Sequence, residues 1–188
     1  MRNQSKLGEI LIQTGLIKPA QIDQVYKEQQ HWGGRLAPLL IEMGLIGETH
    51  LVQFLHQELR LPIAALNGAR QIPLEALRRV PVNLCERFDI IPIGYDGLHN
   101  RLQVGMLDPT EQNIMQELRS TTGHEIDPYV AELTAIRRSI RVYFYGESYS
   151  EASNIVPDLF PKMYPNHSHH LSLLIHKIVH CLLESKKA

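Results

Sequence analysis

The sequence predicts an α+β protein: a four-helix tandem repeat of two helical hairpins, packed on a small α/β sandwich and followed by a C-terminal amphipathic helix. Three observations support this. Residues 6–58 contain one helical unit written twice, the apolar spacing changes after Pro81, and residues 168–188 carry an apolar helical face. The expected parts are the repeat at 1–60, the sandwich at 61–146, a linker at 147–167 and the last helix at 168–188.

The repeat has a constant offset of 35 − 6 = 29 residues. In each copy the apolar residues recur at intervals of three and four, and Gly15 or Gly44 stands where a left-handed residue ends a helix. Pro19 suits the first turn of the next helix in copy one, and Gly47 suits an N-cap in copy two. Each copy therefore predicts a short helix, a glycine stop and a longer helix. The residues in register are Leu7/Leu36, Leu11/Leu40, Ile12/Ile41, Gly15/Gly44, Leu16/Leu45, Ile17/Ile46 and Ile22/Leu51.

The sandwich begins with an extended segment at 61–63 and a helix at 73–79 that presents Leu74 and Leu77 to a core. A second short helix is expected at 83–87. Three strands are then predicted: Phe88 to Ile93, Leu98 to Met106 and Glu125 to Val130. The first two would pair as a hairpin around the turn at 94–97.

Two longer helices complete the sandwich, at 111–120 and 131–145. Asp108 precedes Pro109 and is expected to act as the N-cap of the first of them. The helix at 168–188 could pack on its own domain, pair with a second copy or receive another protein. His176 and His180 share a face of that helix, but without a third ligand in register we interpret them as solvated histidines rather than a metal site.

Composition and motifs exclude several classes of function. The formal net charge of −1 gives no basic field, so no nucleic-acid polymer is expected as a partner. Cys85 and Cys181 are too few for a disulfide framework and suit a reducing cytoplasm, and no apolar run is long enough to span a membrane. No Gly-Lys pair, nucleophile elbow, Cys-x-x-Cys or His-Glu-x-x-His occurs, so the sequence predicts no enzyme and no cofactor.

The repeated pattern, a basic residue followed by Leu-Gly or Leu-Ala, an apolar pair, a glycine and a second apolar pair, resembles the MshEN domain. This domain stands at the N-terminus of GspE-type secretion and PilB-type pilus assembly ATPases, and the likeness continues to about Gly146. The resemblance implies a receptor for cyclic di-GMP that docks on a platform protein or assembly ATPase at the inner membrane. With no phosphate loop in this chain, it implies a module without ATP hydrolysis.

The resemblance also implies a set of ligand-binding residues. A two-fold symmetric dinucleotide can meet one similar half-site from each copy. In each half-site the basic residue would meet guanine or phosphate, the glycine would admit the ligand, and the closing glutamine would read a base edge. The residues are Lys6, Leu7, Gly8, Leu11, Ile12, Gly15, Gln29, Arg35, Leu36, Leu40, Ile41, Gly44, Glu58 and Asp108, the last accepting from guanine or from Arg35.

This sequence departs from the pattern at four positions: Lys6, Ala37, Pro38 and Glu58. An ammonium does not fork onto a purine as a guanidinium does, and a carboxylate near phosphates repels them. Two hypotheses follow. One is a cyclic di-GMP receptor, and the other is a protein–protein adapter whose ligand site has decayed; a duplicated helical hairpin also serves as plain scaffold in many proteins.

Overall fold

The computed structural model describes residues 5–68 and 71–148. All of them belong to one compact unit, Met1–Tyr149. The predicted amphipathic helix at 168–188, its histidines, Cys181 and all but the first two residues of the predicted linker lie outside the described residues.

The described residues form an α+β protein, as predicted. In chain order the elements are α1 (Lys6–Gln13), α2 (Pro19–Trp32), α3 (Leu36–Glu42), α4 (Glu48–Leu59), α5 (Leu74–Leu77), α6 (Val82–Phe88), β1 (Ile90–Asp96), β2 (Arg101–Met106), α7 (Gln112–Thr122), β3 (Glu125–Val130) and α8 (Leu133–Tyr145).

The first four helices show the same local events at the 29-residue offset. Gly15 and Gly44 have φ of 71° and 67°, the left-handed region that glycine adopts at low cost after a helix end. Pro19 is the first residue of α2, and Gly47 is the N-cap of α4. Helix α3 packs against both α1 and α2. Their shared core holds Leu7, Leu11, Ile17, Ile22, Leu36, Leu40, Ile46 and Leu51, all buried.

The sheet has the order β1-β2-β3, with β1 and β2 antiparallel and β2 and β3 parallel. Ile63 forms an isolated parallel bridge to Val130, so the chain leaving α4 runs briefly alongside the free edge of β3. Helices α6 and α8 pack on β1, and α7 packs on β3. The core between these helices and the sheet is apolar and includes Ile90, Leu102, Met106, Leu118 and Ile140.

The predicted β3 agrees with the structure, but the predicted hairpin is wrong at its limits. Phe88 ends α6 instead of opening β1, because Asp89 follows in the left-handed region with φ of 47° and stops the helix. Strand β1 runs through Gly94 to Asp96, with a bulge between Pro92 and Gly94, and the turn lies at 97–100. The Asp96 carboxylate accepts from the backbone N–H groups of Leu98 and His99 and so stabilises the turn there. Leu98 lies in the turn with 94% of its surface exposed.

Two helix predictions also need correction. Helix α5 is one turn long, and Leu74 is 58% exposed, so only Leu77 of the predicted pair faces a core. Asp108 is not the N-cap of α7, because that position is held by Glu111.

Among residues 5–68 and 71–148, no helix combines the length and the apolar character that a membrane crossing needs.

Candidate functional site

The predicted ligand-binding residues divide by exposure. Lys6, Gly15, Gly44 and Glu58 are exposed or nearly so at the helix ends, and Ile12, Gln29, Arg35 and Ile41 are half-buried. Leu7, Gly8, Leu11, Leu36, Leu40 and Asp108 are buried. The four buried leucines therefore belong to the core of the helical part. A ligand could directly reach only the exposed and half-buried residues of the predicted set.

Gly8 is covered by a side chain from the neighbouring helix. A Cβ at Gly8 would lie 2.5 Å from the hydroxyl oxygen of Tyr26, which accepts a hydrogen bond of 3.0 Å from the backbone N–H of Ser5. The Ser5 hydroxyl in turn accepts from the N–H of Gly8 at 3.1 Å and caps α1. The missing side chain at Gly8 thus makes room for Tyr26.

Gln29 is used inside the protein as well. Its side-chain amide donates a 2.9 Å hydrogen bond to the carbonyl of Gly34. That carbonyl immediately precedes Arg35, so Gln29 steadies the connection that leads into α3.

Arg35 joins the helical part to the sandwich. One terminal nitrogen donates to the Phe88 carbonyl at 2.6 Å, and the other donates to the Asp89 carboxylate. The same guanidinium lies 3.7 Å from a carboxylate oxygen of Glu111. Charge-assisted hydrogen bonds of this kind are the strong ones in proteins, so Arg35 is held in place at the start of α3.

Asp108 lies in the same region but points into its own turn. One carboxylate oxygen accepts from the Thr110 N–H at 2.9 Å and from the Thr110 hydroxyl at 2.7 Å. Burial raises the pKa of Asp108, while the two Thr110 hydrogen bonds and the charge of Arg35 act in the opposite direction. Asp108 therefore stabilises the turn before α7, and Arg35 acts on it as a nearby charge.

Glu111 is the least well satisfied member of this charge cluster. Burial raises the pKa of Glu111 to about 7, and the negative charges of Asp108 and Asp89 add to the effect while Arg35 lowers it. One of its carboxylate oxygens is buried without a hydrogen-bond partner. Ionising this carboxyl group therefore works against the folded state.

We expect the substitution Glu111→Gln to change how stability depends on pH. The folded protein keeps the Glu111 proton up to about pH 7, whereas the unfolded chain releases it near 4.5. Over that window the unfolded chain binds fewer protons, so this group makes the wild type less stable as the pH rises. The variant should gain on the order of 1 kcal/mol over the wild type between about pH 5 and about pH 8.

Urea denaturation of both proteins at the two pH values measures this. Glu117→Gln, on the exposed side of the same helix, is the matched control for the loss of any carboxylate. Parallel pH profiles for the wild type and Glu111→Gln would contradict the assignment.

A second polar contact joins the two parts of the unit. The Glu48 carboxylate accepts from the backbone N–H of Thr134 at 2.7 Å and from its hydroxyl at 2.9 Å, so it caps the start of α8. In return, the Thr49 hydroxyl donates to the carboxylate of Glu132, the N-cap residue of α8, at 2.7 Å. Side chains in the first turn of α4 therefore form hydrogen bonds with groups at the start of α8. The Glu48 carboxylate also interacts favourably with the positive end of the α8 dipole.

Sequence reasoning missed the residues that complete the Arg35 cluster: Phe88, Asp89, Glu111 and Arg137. A weak signal was available, because Asp89 is the only charged residue in the otherwise apolar run from Phe88 to Ile93. Its arginine partners lie 54 and 48 residues away in the chain, and no local pattern connects positions so far apart.

Comparison with known proteins places this fold. Residues 59–149 match the model of the MshEN domain. The type IV pilus assembly ATPase PilB of Myxococcus xanthus is 30% identical over 154 residues, which are 82% of this chain and 26% of that protein. PilB of Thermus thermophilus is 24% identical over 152 residues, 81% of this chain and 16% of that protein. The chain thus spans about a quarter or less of the length of these relatives.

Two solved structures resemble the chain. The structure of MshE with cdg, the abbreviation of cyclic di-GMP, has a TM-score of 0.57 and 27% identity, covering 74% of this chain and 99% of that one. The N-terminal domain of XpsE has a TM-score of 0.59 and 21% identity, covering 75% and 97%, and supports the fold alone.

The helices and the small mixed sheet thus define an α+β module of the kind found in MshE and in the N-terminal domain of XpsE. Residues 59–149 match the MshEN domain, and the chain is homologous to part of PilB and to MshE. The family match begins at residue 59, at the end of α4, so the repeat residues lie outside it.

Proposed function

We propose that the chain is a non-catalytic regulatory and docking module that binds cyclic di-GMP. The observation that carries this proposal is the likeness to MshE, whose structure holds that dinucleotide and is covered over 99% of its length. The two halves of the four-helix repeat would each supply one half-site, with Lys6 and Arg35 as the basic residues.

Two further observations describe the reactive side chains of this unit. The thiol of Cys85 is buried, and burial raises its pKa to about 12, so this thiol is not available as a nucleophile. No group of three His, Cys, Asp or Glu residues within 5–68 and 71–148 is arranged to hold a metal.

The partner we propose is a component of a pilus or secretion system, either its platform protein or an assembly ATPase. This follows from the homology to PilB. We place the protein in the cytoplasm and at the inner membrane through that partner. Residues 168–188 are the candidate segment for pairing two copies, and no nucleic-acid polymer is proposed as a ligand.

The proposal is tested by calorimetry with cyclic di-GMP on the wild type and on Lys6→Ala. Lys6 is the suitable site for substitution because it is exposed, whereas Gly8 and Arg35 have internal contacts. Loss of one exposed charge near phosphates should weaken binding about fivefold. Lys27→Ala, on α2, should bind as the wild type does. Absence of heat at high micromolar dinucleotide would remove the receptor proposal.

The second candidate is a protein–protein adapter that binds no nucleotide. Three observations favour it. Arg35 donates its hydrogen bonds inside the protein, the Tyr26 hydroxyl lies against Gly8, and Ala37 is buried. A pull-down from cell extract in dinucleotide-free buffer discriminates the two. Recovery of a pilus or secretion component by a chain that shows no calorimetric signal supports the adapter, and recovery of none counts against it.

A further inference from the structure

Arg35, the predicted ligand-binding arginine of copy two, already donates hydrogen bonds to acceptors inside the protein. Two of its nitrogens donate to the Phe88 carbonyl and the Asp89 carboxylate, and only 20% of its side chain is exposed. A carbonyl oxygen and a carboxylate oxygen are the same kinds of acceptor that a guanine edge and a phosphate present. The interior of the protein therefore offers Arg35 what the ligand would offer.

Asp89 connects Arg35 to the opposite side of the unit. Arg137 of α8 donates two hydrogen bonds to the Asp89 carboxylate, from Nε at 2.6 Å and from a terminal nitrogen at 3.1 Å. The Asp89 side chain is 6% exposed and its backbone is fixed in the left-handed region at the end of α6. Asp89 is thus a buried bridge between the start of α3 and α8.

The bridge and an anionic ligand exclude each other. Asp89 places a negative charge beside Arg35, and a phosphate entering there would be repelled by that carboxylate. Glu111 adds to this repulsion once it ionises, at about pH 7 and above. If Arg35 turns to the ligand instead, the ligand gains the guanidinium and can bind farther from the Asp89 carboxylate. Asp89 remains paired with Arg137 and so keeps a charge partner in its buried position.

We propose that the Arg35–Asp89 bridge masks copy two, and that cyclic di-GMP binds by drawing Arg35 away from Asp89 and the Phe88 carbonyl. This inference rests on the proposed receptor function and adds its regulation. Binding then loosens the connection between α3 and α8, while the Glu48–Thr134 contact, which does not involve Arg35, continues to join the two parts. Because the bridge competes with the ligand for Arg35, a change that weakens the bridge strengthens ligand binding by up to the same factor.

The test compares cyclic di-GMP affinity in the wild type, Asp89→Asn and Glu48→Gln by calorimetry. Asparagine has nearly the same shape and tolerates the left-handed backbone, but lacks the charge that holds Arg35. Asp89→Asn should bind about tenfold more tightly, the factor expected when one charge-assisted hydrogen bond no longer competes. Glu48→Gln, which weakens the other contact between the same two parts, should bind as the wild type does.

Failure of this inference and failure of the receptor function give different results. Binding by the wild type with equal or weaker binding by Asp89→Asn overturns the masking bridge and leaves the receptor function in place. An equal gain in Glu48→Gln also overturns it, because general loosening would then be the cause. Absence of binding in all three proteins overturns both.

A second measurement needs no variant. The Asp89 backbone N–H closes α6 by donating to the Cys85 carbonyl, so its exchange with solvent reports on how firmly this corner is held. Added cyclic di-GMP should make the Asp89 amide of the wild type exchange faster. Slower or unchanged exchange under saturating ligand would contradict the release of Arg35.

Discussion

Asp89→Ala should lower the free energy of unfolding by about 3–5 kcal/mol, the cost seen when one partner of a buried ion pair is removed. The substitution leaves Arg35 and Arg137 facing each other's charge with side chains only 20% and 17% exposed. It also places alanine at a φ of 47°, where aspartate and asparagine are tolerated and alanine is disfavoured. Both effects act in the same direction.

Urea denaturation followed by circular dichroism measures this loss. Asp127→Ala is the matched control, because Arg101 contacts the Asp127 carboxylate through two nitrogens as Arg137 contacts Asp89. That pair lies at the surface with side chains 49% and 29% exposed, so its loss should cost below about 1 kcal/mol. Equal costs for the two substitutions would show that Asp89 is not a buried bridge.

The elements that can be predicted well from the sequence have a strong local cause. Strand β3 is correct at both ends because Gly123 stops α7 just before it, and Val130 ends the strand before Glu132 caps α8. The glycine after α1 and the proline opening α2 are correct for the same reason, since each residue restricts its own backbone. Such restrictions act within a few residues and can be read from the sequence.

The errors come from effects that are not local. The apolar residues from Phe88 to Ile93 look like one strand, yet Asp89 turns the chain because two arginines from distant elements hold its carboxylate. Strand β1 continues past Gly94 with a bulge, and the turn forms beyond Asp96, whose carboxylate accepts from the Leu98 N–H. Apolar periodicity does not reveal the extra residue of a bulge. The spacing of Leu74 predicts a core position, but α5 is too short to bury two faces.

The candidate site can be predicted as a set of residue types, and the structure adds what each one contacts. The repeat singles out Arg35, whereas the bridge from Arg35 to Asp89 depends on how α3 packs on the sandwich. The Asp-Pro turn singles out Asp108, and its partner Thr110 lies two residues away, so a turn motif without helix capping describes it. Which side chain covers Gly8 cannot be read from either copy alone.

The two copies of the repeat solve the same packing problem in different ways. In copy one, Gly8 makes room for the Tyr26 hydroxyl. At the 29-residue offset these positions are Ala37 and Leu55, both 0% exposed. Copy one combines a glycine on its first helix with the longer tyrosine on its second. Copy two combines the larger alanine with the shorter leucine. The alanine of copy two, which departs from the family pattern, is thus matched by a change on the following helix.

We therefore expect Gly8→Ala to lower the free energy of unfolding by about 1–3 kcal/mol, although alanine is the better helix former. The new methyl group displaces the Tyr26 hydroxyl and breaks its hydrogen bond with the Ser5 N–H. Tyr26→Phe alone should cost about 1 kcal/mol for the lost acceptor. In the Gly8→Ala protein, the same Tyr26→Phe change should instead be neutral or stabilising, because it removes the displaced group.

Urea denaturation of the wild type, both single variants and the double variant forms a double-mutant cycle that isolates the pairwise term. Ala37→Gly is the control from copy two, where leucine stands at the position that matches Tyr26, so the space gained there serves no hydroxyl group. It should destabilise the protein through the loss of a buried methyl group. Additive costs for Gly8→Ala and Tyr26→Phe would show that the glycine is not required by the Tyr26 hydroxyl. The predicted role of Gly8 in ligand binding would then explain it, because the absence of a Cβ lets a base or phosphate approach the backbone.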